Sequence, residues 1–164
     1  MRKRAVMIIA NDKRAIVVDA DACPVKAEII AAARAFGNPV WMVASYDHRM
    51  EPGEGVKVVQ VDRSSQSVDL YIMNHVSAGD IVVTQDFGLA CMVLGKGALV
   101  LSNRGEQYTD ANIDYLMERR HESAKWRRGG GRTKGPRAMS QDDRNAFQQK
   151  LTKLLKIEQE KHDV

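Results

Sequence analysis

Three aspartates lie at the points where apolar runs of the chain end. Asp19 and Asp21 follow the run Ala15-Ile16-Val17-Val18, and Asp86 comes shortly after a second run that ends at Val83. If both runs are strands of a parallel sheet, their carboxyl ends meet at one edge, which is where open α/β folds bind ligands. Carboxylates crowded together either retain a proton or hold a cation that neutralises them. The pattern therefore predicts a site for a divalent ion.

The donor set favours a hard cation. Aspartate oxygens without imidazole or thiolate partners at ligand spacing select Mg²⁺ or Mn²⁺ over zinc. The four histidines show no such spacing: His48, His75, His121 and His162. In a two-metal site, ions about 3.5–4 Å apart activate water and stabilise the leaving oxygen of a phosphate ester, so the carboxylates act as ligands rather than general bases. The expected cofactor is Mg²⁺ or Mn²⁺.

Each aspartate also has a purely structural explanation. In an extended segment Asp19 and Asp21 point the same way, yet an Asp at a strand end often makes a turn, and Asp21 is close to a helix dipole. Asp86 can cap a helix that begins at Phe87. Asp69 falls in the first turn of another helix, where the dipole stabilises any acid. Local sequence leaves both interpretations open for Asp21 and Asp86, and it favours function for Asp19.

Three further residues are better explained by structure. Asp62 and Asp80 lie in predicted turns. Cys23 precedes Pro24 at a predicted helix start, where a thiol pKa can be lowered. Because the pattern offers Cys23 no histidine partner, packing is the preferred explanation for it.

Charge is distributed unevenly along the chain. The net charge is +4, but residues 118 to 137 hold eight Lys or Arg against two Glu, which leaves −2 for the remainder. A basic segment beside an acidic cluster suits a polyanionic substrate, whose phosphates need both attraction and a metal. The predicted nucleic-acid contacts are Arg104, Lys125, Arg127, Arg128, Arg132 and Lys134. A solvated loop explains the composition equally well.

Length and composition fit one domain of ordinary size. The chain has 164 residues with 44% hydrophobic content, and its apolar stretches are well short of the ~20 residues that a membrane helix needs. Cys23 and Cys91 have neither CxxC spacing nor the density of a disulfide scaffold, so a reducing, cytoplasmic location is expected. Residues 1–13 are expected to be an N-terminal extension, with an apolar part too short for a signal peptide. Residues 14–160 are expected to form a single domain.

Apolar β-branched runs alternate with helical patterns along the chain. This alternation predicts βαβ units around a mostly parallel sheet, in a three-layer α/β/α arrangement. The predicted strands are residues 15–19, 39–44, 56–61, 81–84 and 98–101. Pro24 fits the first position of the first helix and Gly37 its end. The helices that follow are predicted over residues 66–77, 87–94, 110–122 and 141–159.

The segment from 123 to 138 is predicted to be a flexible basic loop. Its centre reads Trp126-Arg127-Arg128-Gly129-Gly130-Gly131-Arg132, and three successive glycines have a large ordering entropy and no side chains to bury. Ser140 and Asp143 then form a predicted capping box. One face of the last helix is lined by apolar residues, namely Phe147, Leu151, Leu154 and Leu155.

Four stretches of the chain together resemble the YaiI/YqxD family of bacterial proteins. They are Val18-Asp19-Ala20-Asp21-Ala22-Cys23-Pro24, Gly79-Asp80-Ile81-Val82-Val83-Thr84-Gln85-Asp86, Asn103-Arg104-Gly105-Glu106-Gln107-Tyr108-Thr109, and Gly135-Pro136 leading to Ser140-Gln141-Asp142-Asp143-Arg144. The likeness covers roughly residues 14 to 152. The family is similar to the PIN-like nuclease superfamily, whose members use acids at strand ends to bind Mg²⁺ or Mn²⁺ and cut RNA.

The resemblance implies roles for particular residues. The superfamily's first-strand acid corresponds to Asp19, its helix acid to Asp69, and its Thr-x-Asp to Thr84 and Asp86. On this resemblance Asp19, Asp69 and Asp86 are the expected catalytic residues and metal ligands. The helix acid is often a glutamate in the superfamily, and the amino-terminal dozen residues lie outside the likeness. The remaining members of the expected site are Asp21, an additional metal ligand, and Asn103, in the place of a fourth acid.

Three functions fit these residues. The first is a metal-dependent ribonuclease or related phosphodiesterase, in which the basic segment holds phosphates. The second is a phosphatase like the haloacid dehalogenases, with Asp19 as nucleophile and Asp21 as acid/base. That scheme also needs a later lysine and an acid pair, and Asp142-Asp143 lies at a helix start. The third is an RNA-binding module without turnover. The expected partner in the first and third is RNA.

Overall fold

The computed structural model describes residues 13–45, 52–63, 67–132 and 137–162. Residues 1–12 of the predicted extension, and Lys134, lie outside these ranges. The described strands are β1 Ile16–Asp19, β2 Val40–Ser45, β3 Val56–Val61, β4 Ile81–Val83, β5 Leu99–Leu101 and β6 Gln107–Tyr108. The first five agree with the predicted strands to within one residue at each end. The sixth has no counterpart in the sequence prediction.

The sheet has the strand order β3-β2-β1-β4-β5-β6. β1 pairs in parallel with β2 on one side, where Asp19 is opposite Val43, and with β4 on the other, where Val18 is opposite Val83. The chain therefore runs outward from β1 to β3, crosses back to β4 and continues in the opposite direction. The space between the carboxyl ends of β1 and β4 is the topological switch point of the sheet.

Helices cover both faces of the sheet. Those described are α1 Lys26–Phe36, α2 Ser67–His75, α3 Phe87–Gly95, α4 Ile113–Arg128 and α5 Gln141–His162. Ile16 and Val18 of β1 pack with α1 and α5, whereas Val17 packs on the other side with α2, α3 and the start of α4. The predicted three-layer α/β/α fold is confirmed. Within the described ranges, no helix combines the length and the apolar character needed to cross a membrane.

The ends of α1 follow the sequence in part. Gly37 ends the helix as predicted, in the left-handed conformation with φ 72° that favours glycine. The start differs, because α1 begins at Lys26 and Pro24 lies in the preceding turn.

The capping box at the start of α5 is confirmed. The Asp143 backbone N–H donates to Ser140 Oγ at 3.1 Å, and the Ser140 N–H donates to Asp143 Oδ2 at 3.0 Å. Two otherwise unpaired amides at the helix start are therefore satisfied reciprocally.

The largest departure from the sequence prediction is the end of α4. The helix continues to Arg128, so the loop predicted from residue 123 is wrong for residues 123–128. Gly130, with φ 92°, donates its N–H to Arg127 O, and the Gly131 N–H donates to Trp126 O. These bonds form the Schellman motif that commonly ends helices. The glycine triplet is therefore a helix stop.

Candidate functional site

The hydroxyl of Thr84 joins the two central strands at the switch point. Thr84 follows β4 and is buried, and its Oγ1 donates to Asp19 Oδ2 across a distance of 3.0 Å. Its backbone N–H donates to Leu101 O on the neighbouring strand β5. The half-buried carboxylate of Asp19 is therefore fixed at the rim of the sheet by a residue that is itself held from the other side.

Asp86 is fixed by two hydrogen bonds. Its backbone N–H donates to Thr84 Oγ1 at 3.0 Å, and its Oδ1 accepts from the Leu89 N–H at 3.1 Å. The second bond makes Asp86 the N-cap of α3, so the structural interpretation of this residue is correct. The cap also keeps its half-buried carboxylate close enough to Asp19 for the two charges to interact. Capping and membership of the site are compatible.

Asp69 adds a third carboxylate from a separate element. It lies in the first turn of α2 and is half-buried. Burial, the charges of Asp86 and Asp19 and a side-chain hydrogen bond with Asp86 together raise its pKa from the ordinary 3.8 to about 6. The structure thus brings Asp19, Asp69 and Asp86 together from β1, α2 and the start of α3.

Asp19 experiences the same crowding. Burial raises its pKa, the hydrogen bond from Thr84 lowers it, and the charges of Asp21 and Asp86 raise it again. Full ionisation of this rim is therefore unfavourable in the absence of a neutralising charge.

The donor set fits a hydrated hard cation. Within the described ranges, no group of three or more His, Cys, Asp or Glu residues is already arranged to hold a metal ion. Mg²⁺, however, is usually bound through one or two carboxylates, with water and substrate phosphates completing its shell. Half-buried carboxylates whose repulsion raises the pKa of Asp69 and Asp19 match that requirement.

Asp21 lies beyond the end of β1. β1 ends at Asp19, as predicted, and Ala20–Ala22 form a 3-10 helix, so the extended spacing that would point Asp19 and Asp21 the same way does not apply. Asp21 Oδ1 accepts from the backbone N–H of Ser45 at 2.9 Å, at the end of β2. Its charge still raises the pKa of Asp19. Asp21 therefore lies beside the three carboxylates on the β2 side.

Asn103 uses its amide to hold the rim together. This buried residue donates from Nδ2 to Ala22 O at 3.1 Å, and its backbone N–H donates to Gln85 Oε1 at 3.3 Å. The turn after β5 is thus attached both to the 3-10 helix after β1 and to the residue between Thr84 and Asp86. No pattern in the sequence indicates this role for Gln85.

Arg104 is engaged within the fold. Its Nη1 lies 2.7 Å from Asp143 Oδ2, and its Nη2 donates to Arg137 O. Asp143 Oδ1 also binds Arg137 Nη2 at 3.1 Å. Arg104 therefore attaches the turn after β5 to the start of α5, which makes it a weaker candidate for a phosphate contact than the exposed cations.

The remaining basic candidates lie at the end of α4. Three are exposed in its last turn and one lies just beyond it, namely Lys125, Arg127, Arg128 and Arg132. Arg120, which was not among the predicted contacts, lies with its guanidinium over the ring of Phe87, 5.6 Å from its centroid. Phe87 directly follows Asp86, so Arg120 brings the basic surface next to the carboxylates. Only the register of α4 against α3 reveals this neighbour.

Two residues set aside by the sequence analysis do have structural roles. Asp80 is buried at the opposite edge of the sheet, where Oδ1 accepts from the Ala15 N–H at 3.0 Å and Oδ2 from the Ser77 N–H at 2.8 Å. Cys23 is buried in the core, and this burial raises the pKa of its thiol to about 11.

Sequence comparisons find relatives that match most of the chain. The UPF0178 protein of Halalkalibacterium halodurans is 48% identical over 140 residues, which cover 85% of this chain and 89% of that protein. The UPF0178 protein of Ruminiclostridium cellulolyticum is 48% identical over 145 residues (88% and 94%), and that of Bacillus velezensis 43% over 151 residues (92% and 90%). No solved structure gives a significant match. The family model described as "Uncharacterized BCR, YaiI/YqxD family" matches residues 17–157, from β1 into α5. The chain belongs to the YaiI/YqxD family.

Proposed function

We propose that this protein is a metal-dependent nuclease or closely related phosphodiesterase that uses Mg²⁺ or Mn²⁺ at the rim of the sheet. The observation that carries the proposal is the approach of Asp19, Asp69 and Asp86 from three separate elements at the switch point. Their repulsion, expressed in the raised pKa of Asp69, is what a divalent cation relieves. Asp80 offers the contrast, because both of its oxygens are satisfied by backbone amides.

The residues of the chain divide the work in this proposal. Asp69 and Asp86 would hold the ion, which when bound supplies an activated water and stabilises the charge on the leaving oxygen. Thr84 would orient Asp19 toward the same place and favour its ionised form, since the hydroxyl of Thr84 opposes the rise that burial causes in the pKa of Asp19. Arg120, beside Phe87, would attract the phosphate chain to the rim.

End-labelled single-stranded RNA, incubated with Mn²⁺, Mg²⁺ or EDTA, tests the proposal. Cleavage is expected only with a divalent ion. Asp69→Asn and Asp86→Asn should each lower the cleavage rate by roughly 100-fold or more. Loss of a residue that only supports a metal ligand typically costs roughly 10–100-fold, and loss of a ligand should cost no less. Asp110→Asn, at an exposed aspartate before α4, is the matched control and should cleave normally. Wild-type protein that neither binds Mn²⁺ in calorimetry nor cleaves RNA or DNA would overturn the proposal.

The two other candidate functions have their own signatures. In the phosphatase scheme Asp21 would be the acid/base, but its Oδ1 accepts from the Ser45 N–H on the β2 side. Asp143, of the acid pair required by that scheme, caps α5 and binds Arg104. A phosphoryl group trapped on Asp19 would favour the phosphatase. If the protein is an RNA-binding module without turnover, the wild type and Asp19→Asn should bind RNA with equal affinity, and neither should cleave it.

A further inference from the structure

Helix α4 exposes aromatic rings among its cations. Tyr115 and Trp126 are each 62% exposed, and the guanidinium of Arg119 lies over the Tyr115 ring, 5.9 Å from its centroid. The spacings of four and seven residues place Tyr115, Arg119 and Trp126 along one side of the helix. We call these three residues the aromatic stripe.

Trp126 is held in its exposed position. Its Nε1 donates to Arg132 O at 3.2 Å, and the Gly131 N–H donates to the Trp126 carbonyl. A Cβ on Gly131 would lie 2.1 Å from the Trp126 ring, so only glycine lets the backbone pass this close. The turn after α4 therefore fixes the orientation of the ring and leaves most of it exposed.

The charges around the stripe favour a polyanionic partner. Residues 114 to 132, which include the stripe, contain three acids, Asp114, Glu118 and Glu122, against six cations, namely Arg119, Arg120, Lys125, Arg127, Arg128 and Arg132. From Tyr115 to Trp126 the helix rises ~16 Å, which corresponds to roughly five nucleotides of a stacked strand at ~3.4 Å each. Exposed rings beside cations are the combination on which single-stranded nucleic acids bind.

We propose that the aromatic stripe binds single-stranded nucleic acid, with bases stacked on Tyr115 and Trp126 and with phosphates contacted by the neighbouring cations. The inference rests on the proposed nuclease function and deepens it, because Arg120 links this helix to Phe87 and so to Asp86. A duplex keeps its bases stacked inside, so the stripe selects single strands.

Fluorescence polarisation of a labelled ten-nucleotide oligouridine, measured in EDTA, tests the proposal without cleavage. Tyr115→Leu and Trp126→Leu should each weaken binding at least 5-fold, as expected for a lost base stack, whereas Trp126→Phe should retain most of the affinity. A matched control is Ile157→Ala, which removes an exposed apolar side chain from α5. Unchanged affinity in both leucine variants, or tighter binding of a duplex of equal length, would overturn the proposal.

The charge contribution has its own matched pair. Arg119→Gln should weaken oligouridine binding and flatten its dependence on salt. Lys153→Gln, at an exposed cation of α5 on the other face of the sheet, should leave both unchanged. Equal effects of the two substitutions would mean that net charge, and not the stripe, governs binding.

Tryptophan emission reports stacking directly. The chain has two tryptophans, so Trp41→Phe leaves Trp126 as the single reporter, and its emission should be quenched on saturation with oligouridine. No change in emission at saturation would overturn the stacking claim. Self-association is the competing outcome, in which Trp126→Leu converts a dimer to a monomer in sedimentation without changing oligouridine affinity.

The proposal can fail separately from the nuclease function. If Trp126→Leu keeps both metal-dependent cleavage and the oligouridine affinity of the wild type, the proposal for the stripe is wrong and the nuclease proposal stands. If bases stack on the stripe but no divalent ion supports cleavage, the nuclease proposal is wrong and the stripe remains a binding surface.

Discussion

The hydroxyl of Thr84 donates a 3.0 Å hydrogen bond to the carboxylate of Asp19. The same oxygen accepts the backbone N–H of Asp86, also at 3.0 Å. One buried side chain thereby couples the end of β1 to the start of α3. Because the bond to Asp19 lowers a pKa that burial and neighbouring charges raise, Thr84 favours the ionised form of the carboxylate at the switch point.

Replacement of Thr84 by valine should destabilise the fold and disable the site. Valine keeps the shape but leaves the Asp86 N–H without its acceptor, a loss of about 1–3 kcal/mol in the free energy of unfolding. Urea unfolding measures the change, and metal-dependent cleavage should fall in parallel. Thr84→Ser keeps the hydroxyl and should retain most of the cleavage rate. A valine variant with wild-type cleavage would show that this hydroxyl is dispensable for the reaction.

Asp69→Asn should change stability in a pH-dependent way. The pKa of Asp69 is about 6 in the folded protein against an ordinary value of 3.8, so the folded state binds this proton more tightly. The free energy of unfolding therefore falls as pH rises from about 4 to about 6, and the loss is complete above that window. The asparagine variant lacks the loss. Urea midpoints in EDTA should be higher for the variant at pH 7.5, with the difference shrinking toward pH 4.

Mn²⁺ should reverse this ranking. Added at pH 7.5, it should raise the urea midpoint of the wild-type protein and have less effect on Asp69→Asn, because a ligand that binds only the folded state stabilises it. Asp110→Asn is the control and should follow the wild type in both experiments. Identical pH profiles for wild type and Asp69→Asn would contradict the predicted crowding.

Gly88→Ala should impair the site without unfolding the protein. A Cβ at this position in the first turn of α3 would lie 3.2 Å from Asp86 Oδ1, so the carboxylate must move. Alanine favours the helix by up to about 1 kcal/mol relative to glycine. This gain offsets the cost of moving the carboxylate, so the free energy of unfolding should change little. Cleavage should fall several-fold. The control is Gly95→Ala in the same helix, where an added Cβ meets nothing within 4 Å, so this variant should cleave normally. Equal cleavage rates in the two variants would show that the position of Asp86 does not matter for the reaction.

Asp143→Asn should destabilise the attachment of α5. The Ser140 N–H lowers the pKa of Asp143 most, followed by the Ser140 hydroxyl, Arg137 and Arg104. A lowered pKa means that the ionised form stabilises the fold above the ordinary value of 3.8, and that this contribution is lost as pH falls below it. Thermal midpoints should therefore be lower for the variant at pH 7 and converge with the wild type in acid. Asp142→Asn, an exposed neighbour, should show no such difference at pH 7.

The carboxylates at strand ends could be located from the sequence for a physical reason. Parallel strands buried on both faces are continuous apolar runs, so their carboxyl ends are easy to place, and the sheet brings those ends to one edge. Asp19 and Asp86 could be predicted in this way. Asp69 was not, because an acid in a first helical turn has the same local pattern whether or not it faces another carboxylate. Its place in the predicted site came from the family resemblance.

Very short elements and contacts between distant residues could not be predicted from the sequence, for different reasons. The 3-10 helix Ala20–Ala22 redirects Asp21, and a three-residue element has no periodicity to detect. The two-residue strand β6 is equally invisible. The extension of α4 depends on hydrogen bonds of Gly130 and Gly131 to the last turn, which the composition of a glycine triplet does not distinguish from a loop. The contact of Arg120 with Phe87 joins residues from separate helices, so only tertiary packing creates it.

Asp80 has a consequence for how this scaffold can be altered. Through Ala15 and Ser77 its two oxygens fasten the beginnings of the central strand pair, at the end remote from the crowded acids. Strand alignment is therefore set independently of the side chains that would meet a substrate. Because these bonds do not involve Asp19, Asp69 or Asp86, we expect substitutions of those three aspartates to leave the register of β1 against β4 unchanged.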